Sequence, residues 1–492
     1  MVGALVLLPL IWLIPESTKA GALSWEALVS AKMGRLFVHS LFLGLGVALL
    51  SSLVGTLLAL LSIKIVGMRW GVNVGVLLVI PLLIPPYIVA FAWYVLIGRE
   101  GVLGEALFGF WGTVWVHFWI YLPIPLLLVQ RALRQVDPDL EAAARLVAPW
   151  RVVLRRVTLP LILPTLKIAF LLVFILSFGE VSVANFLRYP VFSMQSFTYF
   201  TAFYDTKMAI LTALPTVVVV LVLRWGMGQI MAQSPLRLSL KPLEQIALSR
   251  GVVWVLQGVM VVMVMIALMP LVHLWYVSDL ASFKEAWQQG WAPLMRSLVD
   301  AGFGATLLMV LGFLGGYWLQ KGFRGGGLLE GILLLGFMLP ASIVGMGLSL
   351  FWNQAWSGMI YGSVGIILLA YLSKYLFITT KLSHLALAQI PTSMEESASL
   401  MGASWGVVMR RILIPLSLPS LQLGWLVGFW FAIRESTMTM LLYPAGEATL
   451  PIHILTQMAN GDPAVVASLS LMMVGVVVIP LGIYWVITRS RR

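Results

Sequence analysis

The chain has 492 residues, 61% of them hydrophobic and 10% charged, with mean hydropathy +0.99 and net charge +12. A soluble domain carries about 25% charged residues, so a soluble globular enzyme is excluded. The continuous apolar runs at 217–223 and 259–269 exclude a membrane β-barrel, whose strands alternate apolar and polar positions. What remains is an all-α polytopic membrane protein. A spanning helix uses ~20 residues, so about 12 transmembrane helices fit.

The absence of cysteine excludes disulfides, iron–sulfur ligation and Cys-based zinc sites. The five histidines, His39, His117, His273, His384 and His453, are scattered. Metal ligands stay unassigned.

In chain order, 1–14 reads as a first span, because no Lys or Arg precedes it as in a signal peptide. Further spans read as 38–63, 71–97, 108–130, 164–187 and 209–231. A second set reads as 252–276, 296–319, 328–352, 359–380, 419–441 and 464–487. Positive charge concentrates in alternate loops: Lys64 and Arg69, then Arg131 to Arg156, then Arg237 to Arg250, Lys321 and Arg324, Lys381 to Arg411, and the tail. Such asymmetry marks the cytoplasmic side. It accounts for the net charge without nucleic acid and places both termini in the cytoplasm. The expected location is the cell (inner) membrane, multi-pass, in contact with lipid.

Two segments match at an offset of 255 residues: EAAARLVAPWRVVLRRVTLPLILPTL from Glu141 and ESASLMGASWGVVMRRILIPLSLPSL from Glu396. The offset also pairs Pro85 with Pro340 and Glu180 with Glu435. The chain therefore reads as two six-helix halves, 1–231 and 252–492, joined by a cytoplasmic linker at 232–251. An even number of spans restores orientation, so the halves are parallel repeats about a pseudo-twofold axis along the membrane normal. A short helix starts in each repeated loop. Asp137 and Pro138 read as N-cap and first helical residue. Ser393 and Glu396 have capping-box spacing, and Gly402 reads as a left-handed helix end. The helices read as docking surfaces for a partner, against the plainer reading of packing on their own domain.

These loops, 137–164 and 391–419, resemble the EAA loops of ABC-importer permeases. The second carries Glu396-Ser397-Ala398, Gly402, Ile412 and Pro415; the first carries Glu141-Ala142-Ala143, Val157 and Pro160, with Val147 in place of the family's glycine. The fused twelve-span arrangement, with RESTMTMLLYPAGEATLPIHI late in the chain, is similar to ferric-iron-type permeases. The resemblance implies a type I importer subunit that is not itself an enzyme. Two copies of a cytosolic ABC ATPase would dock on Glu141, Ala142, Ala143 and Val147, and on Glu396, Ser397, Ala398 and Gly402. ATP and Mg would sit on those subunits, with no cofactor in this chain. An external or periplasmic solute-binding protein would deliver the cargo, with ferric iron the first choice. Similar permeases carry thiamine, polyamines, phosphonates or sugar phosphates.

No lysine is followed by Ser or Thr, so the chain has no P-loop. That fits a separate ATPase. It also fits a rival reading, a self-sufficient proton- or sodium-coupled secondary transporter; a third is a membrane scaffold. The G-x-S-x-G match at Gly402–Gly406 lies in the EAA loop without the strand–turn–helix a nucleophile elbow needs. Glu180 and Glu435 lie ~16 residues past the proline opening each span, ~24 Å along the helix and near its external end. Intramembrane acids are costly unless paired or wet. They read either as a gate on the transport pathway or as structural partners of Arg188 or another base. Arg434, next to Glu435, reads as facing a different side of the helix. An anionic cargo would favour Arg434 and Arg188, so the sign of the cargo stays open. Lys167 and Lys374 read as snorkelling residues at span ends.

Overall fold

The computed structural model describes residue 26 and residues 28–98, 104–232 and 246–490. The expected span at 1–14 and most of the linker, 233–245, lie outside the described residues. Among those described, every regular element is helical, as an all-α polytopic membrane protein requires. Eight helices are long and apolar enough to cross a membrane, or up to eleven spans if each of three bent pairs counts as one.

The first part of the chain runs α1 (Ala31–Leu60), α2 (Met68–Leu83), α3 (Pro86–Trp93), α4 (Phe110–Tyr121), α5 (Pro123–Gln135), α6 (Pro138–Arg145) and α7 (Leu159–Phe178). The short α8 (Ser182–Phe186) and α9 (Phe192–Thr201) precede α10 (Thr206–Ala232). The second part runs α11 (Arg250–Val277), α12 (Leu280–Gln320), α13 (Gly326–Met338), α14 (Ala341–Trp352), α15 (Gly365–Leu387), α16 (Thr392–Leu400) and α17 (Ile414–Ile433). It closes with α18 (Thr437–Leu442), α19 (Leu450–Asn460) and α20 (Pro463–Ser490).

Several elements coincide residue for residue at the 255 offset. The turns Trp150–Val153 and Trp405–Val408 do so, as do the π-helical turns Leu154–Thr158 and Met409–Leu413, and then α7 and α17. Pro160 and Pro415 occupy the second position of α7 and α17. A proline lacks its N–H and its ring crowds the carbonyl four residues back, which a widened π turn relieves.

The spans read at 71–97 and 328–352 are not continuous. Residues 73–83 and 86–98 meet at 98°, and 326–338 and 341–352 meet at 107°. Pro85 and Pro340 force the residue before them out of helical geometry. Ile84 sits at φ −91°, ψ 148° and Leu339 at φ −65°, ψ 140°. The span read at 108–130 bends by 40° between α4 and α5, where Pro123 and Pro125 enter. The matching stretch of α15 has Ile378 and Thr380 instead and runs unbroken. The span read at 296–319 belongs to a longer helix. α12 starts at Leu280, where Asp279 and Ser282 form a reciprocal capping box.

Helix α1 packs on α4, α5 and α7, while α12 packs on α15, α17 and α20. A Cβ on Gly55 would lie 2.8 Å from Pro125 Cγ, so glycine lets α1 and α5 touch. The two parts interlock: α11 packs on α2 and α3, and α10 on α13.

Candidate transport cavity and docking helices

The reads of 164–187 and 419–441 as whole spans are also shortened by the structure. α7 stops at Phe178 and α17 at Ile433, and Glu180 and Glu435 occupy the breaks that follow. Each carboxylate turns onto the first turn of the next short helix, where backbone N–H groups have no helical partner. Glu180 Oε1 accepts from Ser182 N at 2.8 Å and from Ser182 Oγ; its Oε2 accepts from Val183 N at 2.9 Å. Glu435 Oε1 accepts from Met438 N at 2.9 Å. The remaining partners differ. His117 Nε2 lies 3.1 Å from Glu180 Oε2, whereas the Tyr375 hydroxyl donates to Glu435 Oε2. Arg188 is exposed and stacks over Phe108 at 5.1 Å, so His117 takes the place expected for it.

Both acids line one cavity of ≈ 100 Å³, together with Lys374, Tyr375, Arg434 and the break at Pro340. Lys374 does not snorkel. It is 8% exposed, and its Nζ donates to Leu339 O and, at 3.1 Å, to Phe337 O. These are carbonyls that α13 leaves open at its end. Arg434 faces this same cavity, not another side, because α17 has ended at Ile433 and helical spacing no longer separates it from Glu435. Its guanidinium lies over the Phe431 ring at 5.4 Å, and Nη1 is buried without a hydrogen-bond partner. A Cβ on Gly179 would lie 2.9 Å from Pro340 Cγ. The end of α7 thus closes directly on the α13–α14 break.

The repeated loops form two short helices. In α6 Asp137 caps the N-terminus, accepting from Asp139 N at 3.1 Å. Glu141 is fully buried and points inward. Lys64 Nζ donates to its Oε2, and Thr158 Oγ1 to its Oε1 at 2.6 Å. Ala142 is half-buried; Ala143 and Val147 are exposed. Val147 does not adopt a positive φ. Arg145 closes the helix end instead, donating to Ala148 O at 2.9 Å and lying over Trp150.

In α16 Glu396, Ser397 and Gly402 are exposed and Ala398 is half-buried. The capping box expected at Ser393 does not form, because the helix begins earlier, directly after Pro391. Gly402 adopts φ +82°. Ala403 N reaches Ala398 O at 3.0 Å and Gly402 N reaches Ser399 O at 3.0 Å, the double bond of a Schellman end. A surface ion pair, Lys321 to Glu395 at 2.8 Å, ties α16 to the end of α12.

Sequence reasoning missed Lys64, His117, Lys374 and Tyr375. Lys64 carried a signal, since it interrupts the apolar run LSIKIV. Lys374 carried the same signal, since it interrupts the apolar run YLSKYLFI, although the repeat places Trp119 at its equivalent.

Residues 308–492 match the family described as the binding-protein-dependent transport system inner membrane component. The chain is also similar to a putative ferric transport system permease protein of Haemophilus influenzae, 25% identical over 85% of this chain and 72% of the relative. A ferric transport system permease protein of Actinobacillus pleuropneumoniae is 24% identical over 93% of this chain and 72% of its own length. The family match at 308–492 and the likeness to ferric permeases over most of the chain support an ABC-importer permease. A third relative of this permease is a putative 2-aminoethylphosphonate transport system permease protein of Salmonella typhimurium, 29% identical over 38% of the chain and 70% of the relative. The match and the apolar helices indicate a multi-pass inner-membrane protein, and the matched family is generally non-enzymatic. It also implies an ATPase and a solute-binding protein as partners.

Proposed function

We propose that this permease imports a solute by alternating access, driven by ATP on two copies of a separate ATPase subunit and fed by an external binding protein. One observation carries the reading. α6 and α16 sit at equivalent places in the repeat and present large apolar side chains to solvent. Leu146 and Val147 are 88% exposed, Leu400 90% and Met401 88%. They lie among polar residues such as Asp139, Arg145, Glu395 and Glu396, outside the hydrocarbon, where such exposure marks a partner surface. Ala143, Val147, Glu396, Ser397 and Gly402 form the docking faces; Glu141, Ala142 and Ala398 support them from behind.

The moving bodies are the halves 1–231 and 252–492, joined by the segment 232–251. The basic loops and both termini lie in the cytoplasm. Ferric iron is the cargo, a reading supported by likeness to ferric permeases over most of the chain. Proteoliposomes holding the permease, with a partner ATPase and binding protein, should accumulate iron only with ATP inside and the loaded binding protein outside. Uptake without ATPase, driven by a proton or sodium gradient, would overturn the reading.

A further inference from the structure

We propose that Arg434 is the cargo contact of the cavity and that it takes an anionic oxygen group, a carboxylate or a phosphonate. This rests on the reading of the cavity as a station on the solute's route.

Four charged side chains line the cavity: Glu180, Lys374, Arg434 and Glu435. Three are engaged by the protein. Glu180 accepts from Ser182, Val183 and His117, two contacts on each oxygen. Lys374 donates to two backbone carbonyls. Glu435 is held by Tyr375 and by the N–H of Met438. Arg434 differs. Among the described residues its side chain makes no hydrogen bond or ion pair; it only rests on Phe431, with Nη1 buried and unpartnered. Leaving a buried donor unpaired is destabilising. A ligand that comes and goes would supply the missing acceptor.

A guanidinium presents a planar fork of N–H donors that fits two oxygens of one anionic group. The cavity formally balances two positive and two negative side chains, so donor geometry, not net field, discriminates. Its ≈ 100 Å³ holds a group the size of about three water molecules, which suits such a headgroup. A bare hard cation would need several oxygen ligands with free lone pairs. Among the described residues no group of three His, Asp or Glu is placed to hold a metal ion. The anionic group can belong to the solute itself or to a ligand shell around a ferric ion.

Two measurements separate these sources and test the contact. The first uses the purified permease alone, titrated with methylphosphonate, citrate and a diamine while tryptophan fluorescence is read. The wild type should bind at least one anion and not the diamine. Arg434→Gln should weaken that binding at least tenfold and Arg434→Lys less than threefold, with the thermal midpoint unchanged. The second uses proteoliposomes with ATPase and binding protein, following iron supplied as its citrate complex and methylphosphonate supplied alone. Loss of iron uptake alone in Arg434→Gln assigns the anion to the ferric ligand shell; loss of phosphonate uptake alone assigns it to the solute. ATP hydrolysis stimulated by the binding protein should persist. Anion binding that depends on Arg434 in a permease that imports nothing upholds the contact and sinks the importer reading. Import that survives Arg434→Gln, or a wild type that binds no anion, overturns the contact.

Discussion

Lys64 closes on Glu141 in the protein interior, each side chain 1% exposed, and so fastens α6 to the end of α1. The corresponding tie in the second repeat is built differently. Lys321 and Glu395 meet near the surface, 27% and 13% exposed, and the acid sits one position before the repeat equivalent of Glu141. Of the two repeated helices, α6 is anchored from within and α16 is held from outside.

Glu141→Leu should therefore destabilise the permease by ~3–5 kcal/mol, because it removes one member of a buried ion pair. Glu396→Leu, at an exposed position, should stay within ~0.5 kcal/mol. Thermal unfolding of the two purified variants checks this. Equal midpoints would show that the interior pair does not anchor α6.

Gly402→Val forces a β-branched residue into φ +82°, at a cost of ~1–2 kcal/mol. It should unravel the end of α16 and reduce co-purification of the ATPase. Val147→Gly should change recovery little, since Val147 needs no left-handed backbone. Undiminished recovery in the Gly402 variant would remove the helix end from docking.

Glu395 holds the Lys321 ammonium above its ordinary pKa of 10.5, chiefly by hydrogen bonding and against partial burial. A folded value raised in this way keeps the tie at full strength below 10.5 and loses it only as pH climbs through the higher folded value. Hydrogen exchange over 392–400 should stay flat from about pH 6 to about pH 9 after correction for intrinsic rates. It should rise in ~1 M salt, where charges are screened within ~3 Å. A pH-dependent loosening inside that window would contradict the assignment.

Lys374→Met leaves the carbonyls of Phe337 and Leu339 without their donor. Each unsatisfied group costs ~1–3 kcal/mol, so the midpoint should fall even though the substitution is more apolar. A midpoint that rises would mean the break at Pro340 holds itself.

What could be read from the sequence was local. Asp137, Pro138 and Gly402 act as their residue types dictate. α7 and α17 coincide because prolines and arginine pairs recur at the same spacing. Partners distant in sequence stayed hidden. The burial of Glu141 depends on Lys64, 77 residues earlier, and the pairing of Glu180 on His117, 63 residues earlier. The right-angle bends were concealed for another reason. Apolar composition continues straight through Pro85 and Pro340, so hydropathy sees one span where the backbone has two directions. Arg434 was assigned to a separate side by helical spacing that ends one residue before it.

α7 and α17 are unbroken rods of 20 residues, ~30 Å long. Each carries the docking-loop turn at one end and the acid-bearing break at the other. A tilt of ~10° about the first end swings the second by ~5 Å. Gly179 and Pro340 touch with no room for even a methyl group between them. The seal at the cavity is thus a lever tip resting on a hard stop. It can only lift away, and a tilt of a few degrees in α7 is enough to lift it.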